Sequence, residues 1–266
     1  MRRSLLRLSF YSSVLLLASA AGVAAQDFNR SYRLTPGGSV SIRNVSGDIE
    51  VTGHDGDQVV VTGTKVGPDV DMVEVEDLSG QNAVDVRAKY PRNCRRCDVS
   101  VNFVVQVPRD TRLSFGPIST ASGNIKLTGV TGDVKVNTAS GDVLVSQVAG
   151  DINASTASGE MSVRNVSGTV NATSASGNVE VDIDRLEGAG NMKFSSASGD
   201  VRVRVPSSVD ADVYMSTASG SIKTNFPIEI REDRHGSGSR AEGRLGSGAR
   251  SLRISTASGN VSLTSN

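Results

Sequence analysis

The chain has 266 residues, of which 37% are hydrophobic but only 4% aromatic, and its 28 Lys and Arg balance its 28 Asp and Glu. Without a basic excess it lacks the electrostatic footprint of a nucleic-acid binder, so no nucleic-acid partner is expected. Only two histidines, His54 and His235, and two cysteines, Cys94 and Cys97, are present, which leaves few general bases and few soft metal ligands.

The chain opens MRRSLLRLSFYSSVLLLASAAGVAAQ, with Arg2, Arg3 and Arg7 ahead of an apolar run and small residues up to Ala25. This pattern predicts a secretory signal peptide over residues 1–25, cut after Ala25. The apolar core is far short of the roughly 20 residues that cross a bilayer, and Gln26 in place of Cys argues against a lipid anchor. The mature chain is then exported, periplasmic or at the cell surface, with no membrane span, and carries 25 Lys and Arg against 28 Asp and Glu, a balance of −3.

Further along, Ser46-Gly47-Asp48-Ile49-Glu50-Val51 and Asp55-Gly56-Asp57-Gln58-Val59-Val60-Val61 each read as a glycine corner followed by an alternating strand. Residues 66–118 keep the alternation in VDMVEVEDL, NAVDVRAKY and DVSVNFVVQVP but lose the spacing, and read as a cap over an exposed sheet end. Within them stands Cys94-Arg95-Arg96-Cys97. In an exported chain its default reading is a structural disulfide. A redox pair would want a helix start, and zinc would want two further ligands, so both rank below the disulfide, as does a free dithiol.

From residue 119 the chain repeats. Gly123, Gly132, Gly141, Gly150, Gly159, Gly168 and Gly177 recur every nine residues, each followed by a polar residue and an alternating Val/Ile strand. Every second corner reads Ala-Ser-Gly, so the true period is 18 residues with about two strands per coil. Corners of constant chemistry exclude tight hairpins, and each unit must lie on the previous one. The prediction is an all-β chain folded as a parallel β-solenoid, right-handed by the crossover rule, forming a single domain over 26–266. Ala121, Ala139, Ala157 and Ala175 are expected to form an inward stack beside the corners. Beyond Gly177 the spacing widens to Gly199, Gly220 and Gly259, and residues 225–253 read as a loop insertion rich in Arg231, Arg234, Arg240, Arg244 and Arg250 with interspersed acids.

Four phrases, FNRSYRLTPGGSVSIRNVSGDIEVTGHDGDQVVVTG, VVQVPRDTRLSFGPISTASGNIKL, its echo VRVPSSVDADVYMSTASGSIKT, and LRISTASGNVSL, resemble the bacterial putative-adhesin family of β-strand-repeat domains of unknown function. The likeness covers nearly all of residues 28–266. It implies an exported or envelope-associated protein with a β-helix-like body, and it implies no catalytic residue.

Chemistry is sparse. The residues after the corner glycines, Asn124, Asp133, Asp142, Asp151, Glu160, Thr169 and Asn178, supply too few carboxylates for a calcium ladder and fit turn caps better. The Gly-x-Gly-x-x-Ala within HGSGSRA opens no helix, and no Gly-x-Ser-x-Gly occurs. No catalytic, cofactor or metal residue is therefore expected, and no cofactor. The reading is a non-enzymatic adhesin-like or scaffold module that binds a protein or glycan of the cell envelope by an outer sheet face or the 225–253 insertion. The alternatives are an enzyme on envelope or extracellular polysaccharide, using paired carboxylates, and a self-assembling structural protein.

Overall fold

In the computed structural model, residues 28–92, 97–188, 190–232 and 238–266 are described; the expected signal peptide over 1–25 lies outside them. In chain order the strands are β1 (Phe28–Tyr32), β2 (Ser39–Arg43), β3 (Ile49–His54), β4 (Val59–Val66), β5 (Glu74–Asp77), β6 (Ala83–Lys89), β7 (Ser100–Pro108) and β8 (Leu113–Ser122). The repeat region supplies β9 (Ile125–Ser140), β10 (Val143–Ala149), β11 (Ile152–Ser158), β12 (Met161–Ser167), β13 (Val170–Ser176), β14 (Val179–Arg185) and β15 (Met192–Ser198). The remainder are β16 (Val201–Val205), β17 (Ala211–Ser219), β18 (Ile222–Thr224), β19 (Glu229–Glu232), β20 (Ser239–Leu245), β21 (Ser251–Ser258) and β22 (Val261–Ser265). A single 3-10 turn, Val70–Met72, is the one helical element among the described residues.

These strands form a β-solenoid of two sheets. The first runs β1, β4, β7, β3, the leading half of β9, β10, β12, β14, β16, β22, β18. The second runs β5, β6, β2, β8, the trailing half of β9, β11, β13, β15, β21, β17, β20, β19. Pairing is parallel through the body, and in the repeat the register is one coil, so that Val143 faces Ile125 on one side and Met161 on the other. Antiparallel pairing is confined to the two ends, where β1, β4 and β5 lie at one and β20 and β19 at the other. Such pairing turns the last coil back on itself and replaces a long open parallel edge by short strands.

Two expected segments look different in the structure. Residues 66–118 hold β5 to β8, of which β6, β7 and β8 are ordinary coil strands; only β5 is terminal, and it shares that end with β1 and β4 from upstream. Residues 225–253 contain β19 and β20, an antiparallel pair added to the second sheet where a loop was expected, with 233–237 outside the described residues.

Chain order and stacking order part company twice. After β7, the turn Arg109–Arg112 carries the chain past one coil position, and β2 and β3 from the N-terminal side occupy the place between β6–β7 and β8–β9. After β16, the turn Pro206–Asp210 does the same, and β21 and β22 occupy the place between β15–β16 and β17–β18. The two climbs share their bonding: Ser114 N donates to Gly38 O and Asp212 N donates to Arg250 O, both at 2.8 Å.

The core follows the alternation. Val143, Val145 and Val148 of β10, and Ile152 and Ala154 of β11, are buried, and the same positions are apolar in neighbouring coils. Burying each such valine or isoleucine contributes about 1.5–3 kcal/mol. Where Phe194 enters this stack, its register neighbour is Ala172, so volume is conserved between adjacent coils. The expected inward alanine stack is not there: Ala121, Ala139, Ala157 and Ala175 face solvent, and the residue before each, Thr120, Thr138, Thr156 or Ser174, is buried instead. At the three threonines the reason is hydrogen bonding, whereas the buried Ser174 Oγ finds no partner. Thr138 Oγ1 donates to Gly123 O (3.2 Å), and Thr156 Oγ1 to Gly141 O (3.3 Å), so the inward hydroxyl satisfies a corner carbonyl that the sheet ladder leaves over. A methyl group cannot do that.

Candidate binding face at the C-terminal end

The second sheet ends in strands whose outward side chains do not repeat. Across its last strands one row reads Lys193, Arg253, Tyr214, Glu242, Glu229, and the next row Ser195, Ser255, Ser216, Arg240, Arg231. Antiparallel pairing of β19 with β20 places Glu229 directly opposite Glu242 and Arg231 directly opposite Arg240. Like charges facing each other across strands destabilise a sheet. Among the described residues, the ion pair between these rows is the exposed Arg231–Glu229 contact at 3.3 Å.

These four side chains line a cavity of about 480 Å³. A second depression of about 310 Å³ adjoins it through Glu242 and is lined by Asp212, Tyr214, Ser251 and Arg253, with the Arg253 guanidinium 5.7 Å from the Tyr214 ring centroid. At its margin Arg244 donates to Asp212 by Nε (2.6 Å) and Nη2 (3.2 Å), and those bonds raise its pKa above the ordinary arginine value. The face thus offers paired donors, paired acceptors and one aromatic ring within a shallow concavity, which is a set suited to a polar ligand.

Elsewhere the outward residues serve the coil. Asp142 N donates to Asn124 Oδ1 (2.9 Å), Asp142 Oδ1 in turn accepts from Glu160 N (2.8 Å), and at the other corner Asp151 Oδ1 accepts from Thr169 N (2.9 Å). The residues after the glycines therefore cap the next coil's amides and form a ladder of backbone caps. Among the described residues no group of three or more His, Cys, Asp or Glu lies close enough to hold a metal ion. The seven glycines from Gly123 to Gly177 all have φ between +131° and +157°, and at Gly141 a Cβ would sit 2.1 Å from Gly123 O, so the corners stack too closely for a side chain. Cys97 is disulfide-bonded and packs near the core, with Sγ 3.8 Å from Met72 Sδ; Cys94 lies outside the described residues.

The Toastrack DUF4097 family matches residues 38–264 of this sequence. The chain belongs to that family. No curated protein matches it. Among solved structures, this Toastrack chain is similar to a putative adhesin from Bacteroides fragilis, at 15% identity over 90% of this chain and 96% of that one, with a TM-score of 0.47. It is also similar to a putative cell adhesion protein from Clostridium sporogenes, at 10% identity over 90% and 99%, TM-score 0.39. A putative adhesin from Parabacteroides distasonis is 11% identical over 89% and 96%, TM-score 0.41. No helix of the described Toastrack residues is long and apolar enough to cross a membrane.

Of the arginines picked out in the 225–253 segment, Arg231 and Arg240 meet on the face, Arg244 sits at its margin, and Arg250 lies at the neighbouring corner; Arg234 is outside the described residues. Tyr214, Arg253 and Lys193 escaped the sequence reading. Each sits in an otherwise ordinary coil strand, and the available signal was that a large or charged residue replaces the Asn153 and Asn171 of the preceding coils in the same column.

Proposed function

We propose that this Toastrack protein is an exported, non-enzymatic, adhesin-like binding module of the bacterial cell envelope, and that it holds a protein or glycan on the C-terminal face of its second sheet. The observation that carries the reading is the pair of like-charge juxtapositions, Glu229 with Glu242 and Arg231 with Arg240, on exposed strands. They oppose folding of the sheet end and are relieved by a ligand that brings its own donors to the glutamates and acceptors to the arginines. The signal-peptide pattern supports export. The rival reading, cleavage of a polysaccharide by paired carboxylates, would use Glu229 and Glu242. Both are exposed among arginines, whereas a general acid needs an apolar setting that keeps its proton, and this favours binding.

The test is co-sedimentation of the mature protein with peptidoglycan sacculi and with envelope vesicles, alongside the double variants Arg231→Ala/Arg240→Ala and Glu229→Gln/Glu242→Gln. Saturable sedimentation that falls at least tenfold in one double variant supports the reading. Wild-type protein that stays in the supernatant with both fractions, or sediments equally well after both substitutions, rejects it.

A further inference from the structure

At the second climb, where the chain passes from β16 to β17, a cavity of about 330 Å³ opens between the end of β14, the Pro206–Asp210 turn and the residue before β21. Its wall includes Asp184, Arg185, Leu186, Pro206, Asp210 and Arg250. The Nε and Nη1 atoms of Arg250 are buried and have no hydrogen-bond partner in the protein. A guanidinium is always charged and offers only donors, and a buried donor without an acceptor bears its full desolvation cost.

The two nearby carboxylates do not supply what is missing. Asp210 is turned to the 247–249 loop, where it accepts from Ser247 Oγ (2.7 Å), Gly248 N (2.6 Å) and Ala249 N (3.0 Å). Those bonds, with the amide of Ala249 foremost, hold its carboxyl below the usual aspartate pKa, so it stays charged and engaged there. Asp184 is exposed and forms no bond to Arg250.

Nor does the fold require an arginine. The first climb has the same strand pairing, with Ser39 against Ser114 where the second has Ser251 against Asp212, and the same amide-to-carbonyl bond. The residue equivalent to Arg250 there is Gly38. A Cβ on Gly38 would lie 2.8 Å from Asn82 Oδ1 and 3.0 Å from Thr35 O, so that climb is closed. The second climb has the opposite arrangement, an open cavity with a cation in its wall. An identical architectural job is done once by glycine and once by a half-buried arginine whose Nε and Nη1 are buried without a partner.

From this contrast we infer that the cavity at the second climb is an oxyanion site, in which Arg250 binds a phosphate, sulfate or carboxylate group and Arg185 at the rim adds a second positive charge. It is a separate site from the charged face, and its test does not depend on that face having a ligand. The oxyanion reaches the cavity either as a free ion or as an acidic substituent of a sugar.

Calorimetric titration of the mature protein with sodium phosphate, sodium sulfate and sodium acetate, at ionic strength held constant with chloride, reads the site. Glucuronate against glucose separates the sugar-borne carboxylate from the free ion. The expected result is saturable binding of at least one of these anions by the wild type, weakened at least tenfold in Arg250→Met and by a smaller factor in Arg185→Met. Arg250→Met keeps the aliphatic stem and should melt in chloride no lower than the wild type, because it removes an unpaired charge. Absence of saturable binding to every anion, or equal binding by Arg250→Met, overturns the assignment. So does a clear drop in the melting temperature of Arg250→Met in chloride, which would show that the guanidinium serves the fold. Arg250→Gly, which copies the first climb, is the second variant and should bind as weakly as Arg250→Met.

Discussion

The Thr138 hydroxyl donates a hydrogen bond to the carbonyl of Gly123, one coil away, at 3.2 Å. Thr138 is 7% exposed, so water cannot replace the bond if it is lost. Thr138→Val is therefore expected to lower stability by about 1–3 kcal/mol, the cost of a buried carbonyl left without its donor. Thr138→Ser should cost less, since Ser196 makes the same bond to Gly177 O at 2.9 Å. Ala139, exposed beside it, should accept Gln within about 0.5 kcal/mol. Urea unfolding midpoints of the three variants decide the order.

Two glycines with positive φ should respond very differently to alanine. At Gly141 (φ +139°) the new Cβ would overlap the backbone of the next coil, 2.1 Å from Gly123 O, and no side-chain motion relieves that. Gly141→Ala is expected to cost more than about 3 kcal/mol through strain and coil separation together. Gly188 (φ +76°) has nothing within 4 Å of such a Cβ, so Gly188→Ala should cost only about 1–2 kcal/mol for the left-handed backbone. Equal losses in a thermal melt would show that contact between corners is not what limits the residue.

Tyr32 on β1 donates to Asp77 Oδ2 on β5 at 2.8 Å, tying the two sheets together at the N-terminal end. Burial first, and the bond to Asp77 second, push the Tyr32 pKa up to about 12. The native state holds this proton more tightly than the unfolded chain, whose tyrosine titrates near 10. The resulting stability is complete below about pH 10 and is lost as pH rises towards about 12. Tyr32→Phe should melt lower at neutral pH, and its melting temperature should fall less steeply between pH 10 and 12. A slope equal to the wild type's would assign the alkaline loss to other groups.

Removing residues 251–266 should do more than shorten the solenoid. β21 pairs with β15 on one side and β17 on the other, and β22 joins β16 to β18. Without them β17 and β18 have no neighbour on the body, and residues 206–250 should become sensitive to limited proteolysis while 119–198 stay protected. Protection of both regions would mean that β17 and β18 had closed onto β15 and β16 directly.

Location can be read with trypsin, because Arg231, Arg240 and Arg244 lie on exposed strands at one end of the molecule. For a surface protein, cleavage between Glu229 and Leu252 should occur in intact cells. For a periplasmic one it should appear only after lysis, and the proposed ligand would then be sought inside the outer barrier.

The sequence by itself determined the coil. Glycines nine residues apart from Gly123 to Gly177, with alternating Val and Ile between them, admit one stacking in which the same corner and the same inward pair recur, and the parallel register of Val143 on Ile125 and Met161 is that stacking. Periodicity informs only about neighbours one coil away along the chain. It is silent where the neighbour comes from far off, as β3 does between β7 and β9, or β22 between β16 and β18. Local pattern also left open which residue of Thr-Ala-Ser points inward, because hydrophobicity favours alanine and only the spare Gly123 carbonyl favours the Thr138 hydroxyl. The candidate sites belong to the tertiary structure for the same reason. Glu229 meets Glu242 only because β19 turns back on β20, and the Nε and Nη1 atoms of Arg250 are buried only because the chain climbs past one coil and later returns to fill it.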